Sequence, residues 1–344
     1  MKNAILVSLA GAALCLSAML LSRPLAATPL PSASGYHLAK TVPIPGDTFW
    51  DYLTVDSEAR RVYVTHWTHV VVMDADTLKV VGDIPDTPRV HGVALAPDLG
   101  RGFTSNGGAD TATIFDLKTL KVLGTVKTGK APDGIIYDSF SKRVFALNGR
   151  SQDATVINAA DGSVVGTFAV GGKPETAVAD GAGHLYLNIE DKGEVIEIDT
   201  KTLTVLHRWP MPGCKEPTGL AMDEKNRLLF SVCQSKRMEV VSADTGKVIA
   251  TPSIGEGPDA AGFDPETQLI FSSNEVGTLT VIHEDSPTKF RVVDHVKTKD
   301  SARTMALDLK THNIFLPAAD VEEIPGEMVP KVNPGTFVIL VIEK

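Results

Sequence analysis

The apolar residues of this chain fall in short runs of four to six, rich in β-branched and aromatic side chains, separated by clusters of Gly, Pro, Asn and Asp. Such runs predict strands rather than helices. One order of runs recurs. A small or turn residue and a polar residue lead into an apolar run that ends in Asp. Six or seven residues later an aromatic stands in a second run. A third run ends near Asp or Asn, and a fourth carries Val-Val-Gly or a close variant. The terminal acid of the first run sets the register: Asp56, Asp138, Asp180, Asp223, Asp264 and Asp308, with Ala96 in the equivalent place before Pro97-Asp98. The aromatics of the second run are Tyr63, Phe103, Phe145, Tyr186, Phe230, Phe271 and Phe315. Turns such as Asp161-Gly162 and Thr245-Gly246 predict hairpins between third and fourth runs.

Four strands per unit of about 42 residues is the period of a propeller blade. Seven units predict an all-β, seven-bladed propeller. A single blade cannot bury both of its faces and must stack on neighbours. The seventh unit has no fourth run after Phe337–Ile342. Residues Ala39–Gly46 match the fourth runs that end at Gly129 and Gly172. The N-terminal strand is therefore expected to complete the last blade and close the ring, removing an open edge.

Ahead of that strand, Lys2 precedes an apolar stretch from Ala4 to Leu21, with Arg23-Pro24 and then Ala26-Ala27 as a small-residue cleavage point. This pattern predicts a secretory signal peptide over residues 1–27, followed by one propeller domain over 28–344. A membrane anchor is the alternative, since the apolar run is near spanning length. Periplasmic or secreted localisation follows from the first reading. Cys15 lies in the leader behind Leu14, where a lipoprotein site needs a small residue. Cys214 and Cys233 remain, and a cysteine pair in an exported chain is a disulfide candidate. No CxxCH motif is present, so covalent haem is not expected. The formal net charge is −9. An acidic surface gives nucleic-acid binding no support.

The second runs read Tyr63-Val64-Thr65-His66, Phe103-Thr104-Ser105-Asn106, Phe145-Ala146-Leu147-Asn148 and Phe271-Ser272-Ser273-Asn274. They resemble the YVTN repeat of YVTN/YncE-type bacterial propellers. The resemblance implies the seven-bladed fold and export. It also brings the single-stranded DNA binding attributed to the YncE-type protein, which the acidic charge opposes.

Chemistry is expected at the mouth of the central channel, where first strands begin. Five residues before each register position stand Asp51, His91, Asp133, Glu175, Thr218, Asp259 and Arg303. The following residue is small (Gly92, Gly134, Thr176, Gly219, Ala260, Thr304) except at Tyr52. A second set, three residues after the aromatics, holds His66, Asn106, Asn148 and Asn274, with Asn188 one residue out of register. Together these predict a polar funnel able to bind a ligand. His91, Asp133 and Glu175 form a candidate site for a divalent metal, or a general base with its orienting group. Arg303 between Asp259 and Asp51 suggests an ion-pair network or an anchor for an anionic group. His66 and His69 around Trp67 allow a metal pair or merely an amphipathic loop. Four carboxylates against one Arg favour a cation or a cation-bearing ligand. The seventh unit also carries a long insertion, Ala318–Gly335, with Pro325, Pro330, Pro334 and the acids Asp320, Glu322, Glu323 and Glu327: a lid-like loop or a surface excursion. Three readings stay open. One is a monomeric binding or interaction module for a small molecule or protein. Another is a small-molecule enzyme of lactonase, lyase or oxidoreductase type. The third is a purely structural polar ring.

Overall fold

The computed structural model describes residues 34–326 and 329–344, together with Met1. The leader expected over residues 1–27, with Cys15, lies outside the described residues, as does Glu327 of the insertion. Among the described residues no helix is long and apolar enough to cross a membrane.

Seven four-stranded antiparallel sheets form the blades. The first comprises Leu53–Asp56, Arg61–His66, His69–Asp74 and Val80–Ile84, and the next five repeat that order. The last blade is composite. Ala306–Leu307, Ile314–Ala318 and Val338–Glu343 are completed by His37–Pro43, which pairs antiparallel with Val338–Glu343. Closure by the N-terminal strand is thus present. Tyr36, fully buried just ahead of that strand, meets the Phe271 ring edge-on at 5.2 Å and donates its hydroxyl to the His312 carbonyl at 3.1 Å.

The core is divided into seven apolar clusters, one in each cleft between adjacent blades. The repeat aromatics explain this division. All seven are fully buried, and each points toward the next blade in the chain: Tyr63 toward the second, Phe103 toward the third, round to Phe315 toward the first. Burying one such side chain is worth about 1.5–3 kcal/mol, and the repeat supplies it at every cleft. Side chains on a strand alternate between faces. Residues an even number of places from the aromatic therefore face the next blade, and odd ones the previous blade.

Two features depart from the regular repeat. The third and fourth strands of the sixth blade, Val276–Ser286 and Lys289–Asp300, form a hairpin much longer than the others. The insertion in the seventh blade is not a bare loop. Val321–Glu322 pairs with Lys331–Val332 as a small two-stranded sheet. Cys214 and Cys233 form a disulfide with Cα atoms 5.3 Å apart, tying the loop entering the fifth blade to the end of its second strand. Closing so short a loop contributes on the order of 3 kcal/mol in the chain-entropy description.

Candidate functional site at the channel mouth

The first strands start with a β-bulge in five blades, between Val90 and Val93, Pro132 and Ile135, Pro174 and Ala177, Pro217 and Leu220, and Pro258 and Ala260. The polar position lies inside each bulge. A bulge re-aims a side chain, and here it turns His91, Asp133, Glu175, Thr218 and Asp259 out of strand alternation. Asp51 and Arg303 precede their strands. The small residue that follows allows close approach: a Cβ at Gly134 would collide with the Glu175 carbonyl oxygen. The ring backbone is pinned between blades. Ser105 Oγ donates to the Asp133 carbonyl, Thr304 Oγ1 to the Asp51 carbonyl at 2.8 Å, and the Tyr52 N–H to the His91 carbonyl at 3.0 Å.

The ring splits into two arcs that share Asp51. In one, Arg303 donates to Asp259 and, through Nη2, to Asp51 Oδ1 at 3.2 Å. In the other, His91 Nδ1 lies 2.5 Å from Asp51 Oδ2 and 3.6 Å from Asp133 Oδ1. Glu175 stands apart from that pair. It accepts from the Tyr52 hydroxyl at 3.0 Å, and its Oε2 lies 3.5 Å from Lys173 Nζ. Thr218 takes no part in the ring's ion pairs and donates to the Pro258 carbonyl at 2.8 Å.

Burial decides the protonation of these groups. It pushes Glu175 well above the usual carboxylate range, and the charge on Asp133 adds to it. It pushes Asp259 up to about 7 against the pull of Arg303. Asp133 is raised by burial despite His91. Burial would raise Asp51 too, but Arg303 and His91 outweigh it and hold Asp51 low. His91 is disfavoured as a cation by burial, yet Asp133 and Asp51 reverse this and raise it.

The channel residue that sequence reasoning passed over is Tyr52. It was visible as the one bulky residue where other blades have Gly, Ala or Thr. Its side chain runs from the first blade across to Glu175 and Thr176 of the fourth. With Gly92, Val93, Gly134 and Ile135 it lines a cavity of about 160 Å³.

The second set does not reach the funnel. Asn106, Asn148 and Asn274 are fully buried and face the preceding blade. Each donates to hydroxyls of its own third strand: Asn106 to Thr111 and Thr113, Asn148 to Thr155, Asn274 to Thr278 and Thr280. Asn188, one residue earlier, faces the other way. It donates to the Thr218 carbonyl at 2.8 Å and accepts from Ser231 Oγ. It belongs with Ser105 and Ser273, which bond the next blade's ring backbone. His66 is also fully buried, with Nδ1 2.6 Å from Thr48 Oγ1 and its ring 4.6 Å from that of Phe337. His66 and His69 face each other across a tight turn, ring centroids 5.1 Å apart. The expectation that His66, Asn106, Asn148, Asn188 and Asn274 ring the mouth is therefore corrected. Second-strand side chains stand perpendicular to sheets packed face to face, so they enter clefts, not the channel.

A cavity of about 320 Å³ opens beside the Arg303 arc. Its walls include Phe49, Trp50, Asp259, Glu275 and Arg303, and the insertion covers it with Val321, Glu323, Val329 and Pro330. The guanidinium of Arg303 sits over the Phe49 ring at 5.5 Å. Trp50 is 1% exposed, and its Nε1 has no hydrogen-bond partner.

No protein-family model matches the chain, and no curated protein matches its sequence. Its likeness to known proteins is one of fold. The structure of U3-55K aligns with a TM-score of 0.75 at 10% identity, over 90% of this chain and 99% of that one. A chain of the mitotic checkpoint complex aligns with a TM-score of 0.75 at 15% identity, over 98% and 100%. Hydrazine synthase of Kuenenia stuttgartiensis aligns with a TM-score of 0.70 at 13% identity, over 81% and 94%. At such identities the likeness establishes the propeller and nothing finer.

Proposed function

We propose that this protein is an exported, YVTN/YncE-like propeller that binds a small cation-bearing molecule in the cavity beneath the seventh-blade insertion. The observation that carries this reading is the composition of that cavity. Glu275 and Glu323 are exposed at its wall with no ion-pair partner among the described residues, beside the apolar faces of Phe49 and Val321. Arg303 is already committed to Asp259 and Asp51, so it is a poor anchor for an anion. Carboxylates beside an aromatic face suit an ammonium group. Export is supported by the leader-like N-terminus and by the disulfide, a bond that persists in oxidising compartments.

Calorimetric titration with choline, putrescine and arginine, against acetate and glucose, tests the reading. At least one ammonium compound is expected to bind, and the Glu275→Gln/Glu323→Gln double variant to lose that binding at an unchanged melting temperature. Binding of acetate alone, or of an ammonium compound with equal affinity to both proteins, would overturn it.

A further inference from the structure

Beside the His91–Asp51 pair, two carboxylates have oxygens without a hydrogen-bond donor among the described residues. His91 Nδ1 faces two carboxylates, Asp51 Oδ2 at 2.5 Å and Asp133 Oδ1 at 3.6 Å. A single nitrogen serves one of them. The Asp133 carboxylate makes no hydrogen bond among the described residues, although only 23% of its side chain is exposed. In the next blade Glu175 Oε2 is buried without a hydrogen-bond partner, its nearest cation 3.5 Å away. Carboxylates in surplus over donors in a confined, partly desolvated mouth attract a cation.

We propose that His91 Nδ1, Asp51 Oδ2 and Asp133 Oδ1 hold a divalent transition-metal ion of the Zn²⁺ or Mn²⁺ class. One donor atom from each residue can be chosen so that all three lie within 4.8 Å of one another. One imidazole and two carboxylates form a mixed donor set that suits these ions better than Ca²⁺ or Cu⁺. The three residues come from three consecutive blades, and the carbonyl of each is held by an inter-blade hydrogen bond, from Thr304, Tyr52 and Ser105. Such a frame fixes donors without relying on a mobile loop. Arg303 engages Asp51 through Oδ1, and the ion takes the place of the proton that His91 Nδ1 shares with Oδ2. It is an outer partner that orients a ligand rather than one of the ligands. The partial exposure of His91 and Asp133 opens the remaining coordination positions to the mouth.

This set differs from the His91, Asp133 and Glu175 trio expected from sequence. Glu175 is held by Tyr52 and Lys173, and Asp51 takes its place. The inference does not rest on the ligand cavity, whose Glu275 and Glu323 contribute no donor.

The test is calorimetric titration of the chelator-stripped protein with Zn²⁺ and with Mn²⁺ alone. One equivalent of at least one ion is expected to bind. His91→Gln and Asp133→Asn should each weaken it by more than the roughly 10–100-fold that follows loss of an outer partner. Glu175→Gln should leave it unchanged. Absence of stoichiometric binding overturns the proposal. So does binding of wild-type strength in both His91→Gln and Asp133→Asn, which would place the ion elsewhere. Loss in Glu175→Gln equal to that in Asp133→Asn would reinstate the sequence-derived trio in place of Asp51. Melting curves accompany each variant. Should His91→Gln fail to fold, Asp133→Asn, whose carboxylate has no hydrogen bond to lose, decides the question.

Discussion

Two sets of positions recur sevenfold in this chain, and the fold treats them oppositely. The residues five places before each register position gather on one ring around the channel. The residues three places after each aromatic scatter into seven separate clefts. The first set is polar throughout, the second in His66, Asn106, Asn148 and Asn274, and the members of each are equivalent by rotation. The difference is what holds the backbone. At the mouth a bulge breaks strand alternation and turns the side chain toward the axis. In mid-blade the alternation is intact, and an odd offset from the aromatic means the preceding blade. Rotational equivalence alone puts residues on a common circle; it does not say whether that circle is the channel wall or a set of clefts.

The most severe way to break the comparison is to open the ring. Deleting Tyr36–Gly46 removes His37–Pro43 from Val338–Glu343 and takes Tyr36 off Phe271. The seventh blade then has an open edge, and Arg303 loses its fixed frame. Loss of soluble, cooperatively folded protein is the expected outcome, read by circular dichroism and size exclusion. A deletion variant melting with the full chain would show that closure holds neither set in place.

That strand was legible because its sequence repeats the fourth runs of other blades. The same periodicity exposed the blades and the aromatics, and the cysteine count exposed the disulfide. The bulges were not legible, since Pro132-Asp133-Gly134 carries no sign of which way Asp133 turns. The buried fate of Asn106 and Asn148 was half visible. Their partners Thr113 and Thr155 stand at matching places in the third runs, and counting offsets from Phe103 and Phe145 would have put both amides in a cleft. The partner of Glu175 was hidden for another reason: Tyr52 reaches it from three blades away, and no local pattern encodes a contact across the axis.

A milder test removes one amide. Asn148→Ala removes a buried amide that donates to Thr155 Oγ1 and to Asp153 Oδ1. Losing such hydrogen bonds, one of them to a charged group, costs about 1–3 kcal/mol. Asp133→Asn at the mouth has no hydrogen bond to lose and faces partial solvent. Chemical denaturation should rank Asn148→Ala well below Asp133→Asn in stability. Equal stabilities would erase the distinction between cleft and mouth.

The smallest effects lie in the pH dependence, where the two sets should tilt in opposite directions. His66, in a cleft, is driven by burial from an ordinary 6.5 down to about 4. The unfolded chain binds a proton there before the folded one does, so His66 removes stability as pH falls from 6.5 toward 4. Glu175, at the mouth, is raised well above its ordinary 4.5 by burial. The folded chain keeps that proton after the unfolded one has released it, so Glu175 removes stability as pH rises above 4.5. Glu175→Gln mimics the protonated acid, retains an oxygen for the Tyr52 hydroxyl and does not titrate. Its melting temperature should therefore gain on wild type steadily as pH climbs from 4.5 toward neutrality. His66→Gln, destabilised overall by lost contact with Phe337, should instead narrow its deficit as pH drops from 6.5 to 4. Melting curves at half-unit pH steps read both slopes from the same three proteins. If the wild-type and Glu175→Gln curves run parallel, Glu175 is ionised in the folded protein, and the mouth holds its charges with more water, or with a bound cation, than its enclosure by the blades implies.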